Sequence, residues 1–146
     1  MATIERDAKT PFHLWIVGVL GLVWNSYGCY DYLMTNTRNA EYLAQFPPEM
    51  MQVIDAFPLW VMAAWAFGVW GAIAGSVLLL MRSRFAVHVF TLSLAGLIVS
   101  TAYQMTIDGP GSMKTTSPDT ITIVIWVVAI FFLWYSLNQR RMGNLR

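Results

Sequence analysis

Charge is what this sequence has least of. Only 12% of its 146 residues are Asp, Glu, Lys or Arg, about half the share found in soluble globular chains, so a water-facing surface of ordinary extent cannot be built from it. The single cysteine, Cys29, excludes an internal disulfide; a small, polarizable packing role is expected of it. Paired carboxylates within an apolar segment, a glycine-rich phosphate loop and a serine elbow are all missing, so no enzyme is indicated. The positive charge is too sparse for a nucleic-acid surface.

What the chain does have is apolar length. Hydrophobic residues make up 57% of it, and they gather into runs over residues 12–34, 57–81, 85–106 and 120–137. About 20 helical residues cross the hydrocarbon of a bilayer, so each run is a candidate span. The last is the shortest, but its "ITIVIWVVAIFFLWY" carries no charge. The reading is an all-α, integral-membrane four-helix bundle forming one domain over 1–146. The first run is too long, and its leader too mixed in charge with Glu5, Arg6, Asp7 and Lys9, for a cleaved signal peptide; an uncleaved first helix is expected.

Orientation follows from the basic residues, which resist translocation near span ends. Arg6, Lys9, Arg82, Arg84, Arg140, Arg141 and Arg146 fall on one side, Arg38 and Lys114 on the other. Both termini are therefore expected in the cytoplasm, with an acidic outer face. The longest outer segment, "TNTRNAEYLAQFPPEMMQVIDAFP", is divided by Pro47 and Pro48 into two short amphipathic helices over 39–46 and 48–57. These should lie on the membrane surface or cap the bundle. The "MRSRF" connection makes the second and third spans antiparallel neighbours. The outer loop "IDGPGSMKTTSPDT" offers Thr116, Ser117 or Asp119 as caps for the fourth helix.

Small residues recur at helical spacing. Ala64, Gly68, Ala72 and Ser76 form one stripe, with Gly71 and Gly75 beside it; Gly18, Gly21, Asn25 and Gly28 form another, and Ser93, Gly96 and Ser100 a third. In lipid such faces let backbones approach closely. They predict either a compact bundle or association, with a second copy or with a larger membrane complex.

The stretch "LVWNSYGCYDYLM", residues 22–34, begins as greasy as a span and then turns polar. Asp31 and the three tyrosines fit the headgroup level, but Asn25 lies roughly 10 Å deeper at about 1.5 Å per residue. Trp65, Tyr103 and Gln104 approach the same level. A polar pocket opening outward is predicted, lined by Asn25, Asp31, Trp65, Tyr103 and Gln104. The plainer alternative is that Asn25 bonds a neighbouring helix and Asp31 anchors its helix end, with Arg38 as partner. His13 and His88, at similar depth from the cytoplasmic side, form the one pair able to hold haem. Interfacial and packing roles are expected of them, and no metal or cofactor is expected.

"LGLVWNSYGCYDYLMTNTRNAEYLAQF", "FPLWVMAAWAFGVWGAIAGSVLLLMRSRFAVHVFTLSL" and the tryptophan-bearing last span together resemble small, uncharacterised four-helix inner-membrane proteins of proteobacteria, some labelled as sugar transporters. Size and layout are also distantly similar to DoxX-like membrane proteins. The resemblance implies the four-span topology and a place in the bacterial inner membrane, and brings no catalytic residue with it. The expected function is a non-enzymatic accessory or assembly subunit that packs against itself or a larger membrane complex. The alternatives are a small transporter or solute-binding protein using the outward pocket, and a haem or quinone redox protein.

Overall fold

The computed structural model describes residues 10–108 and 120–146, and over these the chain is helical without strands. The leader charges Glu5 to Lys9, and Lys114, Thr116, Ser117 and Asp119, lie outside the described residues. Four helices are long and apolar enough to cross a membrane: α1 (Phe12–Asn36), α4 (Leu59–Leu80), α5 (Phe85–Gln104) and α6 (Thr120–Arg141). Two short helices, α2 (Ala40–Leu43) and α3 (Pro48–Asp55), join the first two of these.

Proline sets three of the six helix starts. Pro11, Pro47 and Pro58 stand at the N-caps of α1, α3 and α4, where the missing N–H is no loss. α2 and α3 stop short of the 39–46 and 48–57 spans expected from their apolar spacing, and Phe46 and Phe57, each preceding a proline, are pushed out of the helical region. Asn39 caps α2, its side-chain oxygen accepting the Tyr42 N–H at 2.8 Å. In the other direction α6 runs past residue 137 to Arg141, because "SLNQRR" has no helix breaker.

Three helices end in the same turn, in which two N–H groups reach back to the last carbonyls around one left-handed residue. After α6 that residue is Gly143 (φ +76°), with Asn144 N–H on the Gln139 carbonyl at 3.0 Å and Gly143 N–H on Arg140 at 3.1 Å. After α1 and α4 it is an arginine, Arg38 (φ 56°) and Arg82 (φ 59°). Beyond Gly143 the chain folds back on the α4–α5 connection. The Arg84 N–H bonds the Arg146 carbonyl (2.9 Å), the Arg146 N–H bonds the Arg82 carbonyl (2.7 Å), and Leu145 is buried in the core.

The helices pack in sequence: α1 along α4, α4 most extensively along α5, and α5 along α6. Gly96 of α5 sits against α4 so closely that a Cβ there would stand 2.8 Å from the Gly68 nitrogen and would strike the Ala64 carbonyl. At the end bearing the α4–α5 turn, Leu14, Leu79, Ala86, Phe90, Phe132, Tyr135 and Leu145 form the core. The outer surface is apolar, with Leu20 63%, Val127 61% and Trp134 59% exposed, a pattern water penalises and lipid does not. The described arginines other than Arg38 lie at the α4–α5 end, and Glu41, Glu49 and Asp55 at the α2–α3 end.

Candidate functional site

The small-residue stripe of α1 serves two purposes. A Cβ on Gly18 would meet Leu80 of α4 at 2.5 Å, and one on Gly21 would meet Phe132 of α6 at 2.5 Å, so both admit a close neighbour. Two turns on, a Cβ on Gly28 would meet nothing within 4 Å. Gly28 faces a cavity of about 850 Å³ bounded by α1, α4, α5 and α6 and roofed by α3. Packed interiors leave few voids larger than a water molecule, and ligand pockets run from about 300 to 1,000 Å³, so this space is of binding-site size.

The floor is the stacked pair Phe90 and Phe132, ring centroids 5.5 Å apart. Leu97, Val128 and Ala129 continue the apolar wall, Trp24, Trp65 and Trp126 stand around it, and Met50, Val53 and Ile54 of α3 close the top. Polar groups enter chiefly on one face of α1, where Asn25, Asp31 and Thr35 share the helical spacing of Gly28. Ser93, Gln104 and Glu49 add to them from α5 and α3.

Asn25 both holds a helix and faces the cavity. Its Nδ2 donates to the Ala72 carbonyl at 3.2 Å and to Ser76 Oγ at 2.9 Å, while Ser76 Oγ also donates to Ala72 at 3.0 Å. A carbonyl can only accept, so the amide nitrogen must point at α4 and the Asn25 Oδ1 away from it. Cys29 Sγ adds a weak bond to the Val69 carbonyl at 3.4 Å. Ser93 Oγ is committed to the Gly68 carbonyl at 2.5 Å.

At the α3 end the groups are less fully used. Asp31 accepts the Tyr42 hydroxyl at 2.6 Å, and burial first, then the Asp31 carboxylate, pushes the Tyr42 pKa well above its ordinary value. The partner of Arg38 is Asp55, in an exposed ion pair, rather than Asp31. Thr35 is 1% exposed, and its Oγ1 finds no hydrogen-bond partner among the described residues. A threonine late in a helix commonly bonds back to a carbonyl one turn earlier, and a buried hydroxyl left unpaired costs about 1–3 kcal/mol. The lining includes two carboxyl groups, Asp31 and Glu49, and no Lys, Arg or His among the described residues.

Of the five residues expected around an outward pocket, Asn25, Asp31, Trp65 and Gln104 line the cavity. Tyr103 stands elsewhere, between the rings of Phe57 and Trp60 with its hydroxyl donating to the Ala56 carbonyl at 3.3 Å. Thr35 and Glu49 were not singled out from sequence, whereas α3 over the cavity is one of the two placements expected for it, a cap on the bundle. Continuing the Asn25, Gly28, Asp31 spacing by one more turn, just past residue 34, would have reached Thr35.

The two histidines have different surroundings. His13 Nδ1 lies 2.5 Å from the Tyr135 hydroxyl, joining α1 to α6, whereas His88 is exposed beside Phe85. Among the described residues no three His, Cys, Asp or Glu side chains gather as a metal site would require. Nor do comparisons supply a relative: no family model, curated protein or solved structure matches this chain.

Proposed function

We propose that this protein is a non-enzymatic, multi-pass membrane protein that binds an amphipathic small molecule in the cavity between its four long helices, as a carrier or solute-binding component. The observation carrying this reading is the roughly 850 Å³ space with a buried, unpartnered Thr35 hydroxyl on its wall. An apolar floor with polar groups gathered toward one end suits a ligand with a greasy body and a polar head. The small-residue faces that argued for an accessory or assembly subunit are turned inward: Gly18, Gly21, Gly71, Gly75, Gly68, Ala64 and Gly96 all meet neighbours within the chain, and Ala72 lines the cavity. Self-association or a larger complex therefore loses the feature that suggested it. The charge distribution favours a cytoplasmic α4–α5 end and an outward α2–α3 end, and the expected setting is the bacterial inner membrane with lipid as the surrounding partner.

Gly28→Trp tests the reading. The indole would enter open space rather than a packed contact, so the variant should fold, with thermal unfolding in detergent close to the parent. Native mass spectrometry of the parent should reveal a co-purifying amphiphile, and the variant should lose most of it. An unchanged ligand complement in the folded variant would remove the cavity from consideration.

A further inference from the structure

The walls of the cavity are unequal. The α4–α5 pair is the most extensively packed, α1–α4 less so and α5–α6 least of the three, and α1 and α6 have no comparable contact. They meet through His13 with Tyr135 and through Gly21 with Phe132, toward the α4–α5 end and the middle. Nearer α3 both helices line the same empty space from opposite sides. Tyr27, Ile121 and Ile125 there are 60%, 49% and 39% exposed while also lining the cavity. A residue that is at once cavity wall and outer surface marks the rim of an opening. Pro47 and Glu49 meet the same test beside α3, so the cavity opens both sideways between α1 and α6, into the apolar belt, and beside the start of α3.

The polar groups within reach of these openings accept more than they donate. Asp31 and Glu49 bring carboxyl groups, Asp31 already holding the Tyr42 hydroxyl, and Glu49 standing exposed at the cavity's edge in the first turn of α3. The Thr35 hydroxyl and the Gln104 carboxamide are without partners among the described residues. Phosphate, sulfate or carboxylate heads would meet like charge, whereas a primary ammonium brings three donors and a matching charge.

We propose that the ligand is a bilayer-resident amphiphile with a primary amine head, which enters sideways between the α3-proximal halves of α1 and α6 and sets its ammonium against Asp31, Glu49 and Thr35. This rests on the binding reading above and adds the headgroup and the route.

The test uses the full chain in phosphatidylcholine nanodiscs with three photoactivatable long-chain probes, a primary amine, the matched alcohol and the matched carboxylic acid, with crosslinks mapped by mass spectrometry. The amine is expected to label cavity-facing segments of α1 and α6 about tenfold more than the acid, as one added charge-assisted hydrogen bond implies. Asp31→Asn keeps an acceptor for Tyr42 and removes the charge. It should erase the amine preference while leaving alcohol labelling intact, and excess butylamine should not protect. Equal labelling by all heads, or a preference surviving Asp31→Asn combined with Glu49→Gln, overturns the amine assignment and leaves cavity binding standing. Protection by butylamine overturns the bilayer route in favour of a soluble amine. Cavity labelling by none of the probes, or labelling that Gly28→Trp does not reduce, overturns the binding reading itself.

Discussion

Asn25 looks costly where it stands, and the arrangement around it makes it cheap to remove. Its amide reaches both Ala72 and Ser76, yet Ser76 Oγ already bonds the Ala72 carbonyl. Asn25→Ala therefore strands neither group, and interhelical bonds in membranes average about 0.6 kcal/mol each. The expected loss is about 1 kcal/mol by thermal unfolding in detergent, and a loss above about 3 kcal/mol, the range for breaking a buried ion pair, would show that the amide does more than link α1 to α4. Sequence could rank Asn25 as too deep for the interface. It could not say which way the amide turns, because that depends on a carbonyl of another helix. Gly21 and Gly28 make the same point: both are glycines on one stripe, but only the position of Phe132 distinguishes a packed contact from an open wall.

At the level of helices, the four long spans were legible because an apolar run of about 20 residues matches the thickness of a bilayer and suits little else. Which small residue pairs with which was not, since spacing marks a face and leaves its depth of contact open. Gly68 and Gly96 belong to the same α4–α5 seam and should respond differently. A Cβ on Gly68 would find its nearest atoms at 3.6–3.8 Å, an ordinary contact, whereas one on Gly96 would strike the α4 backbone. Gly68→Ala should be tolerated. Gly96→Ala must push α4 and α5 apart and should cost about 1–3 kcal/mol or more, read as a lower unfolding midpoint. The short α2 was also legible, through the Pro47–Pro48 break and its apolar spacing, but its anchoring was not: Tyr42 packs edge-on to Tyr30, 5.5 Å between centroids, and donates to Asp31. Since the folded pKa of Tyr42 is raised, its contribution is fully present below the ordinary tyrosine value of about 10 and is lost as pH climbs through the folded one. Unfolding midpoints should thus fall with alkaline pH in the parent and show a smaller alkaline decline in Tyr42→Phe.

For the whole molecule, the direction of the cavity depends on which end faces out, and the proposed orientation rests on the charges. Arg82, Arg84, Arg140, Arg141 and Arg146 gather at the α4–α5 end, three of them within or beside the turn where residues 144–146 fold back. Glu41, Glu49 and Asp55 occupy the other end with Arg38 paired to Asp55. Basic residues near span ends resist translocation and acidic ones contribute little, so five arginines against one favour the α4–α5 end in the cytoplasm. The cavity would then open toward the outer leaflet. Single cysteines in a Cys29→Ser background test this, because the serine can still donate to Val69. In intact cells a membrane-impermeant maleimide should label Glu41→Cys and spare Ser83→Cys, which should react only once the membrane is permeabilised. The reverse pattern would turn the molecule over and put the opening between α1 and α6 in the inner leaflet, where an amine-bearing ligand would have to come from the cytoplasmic side.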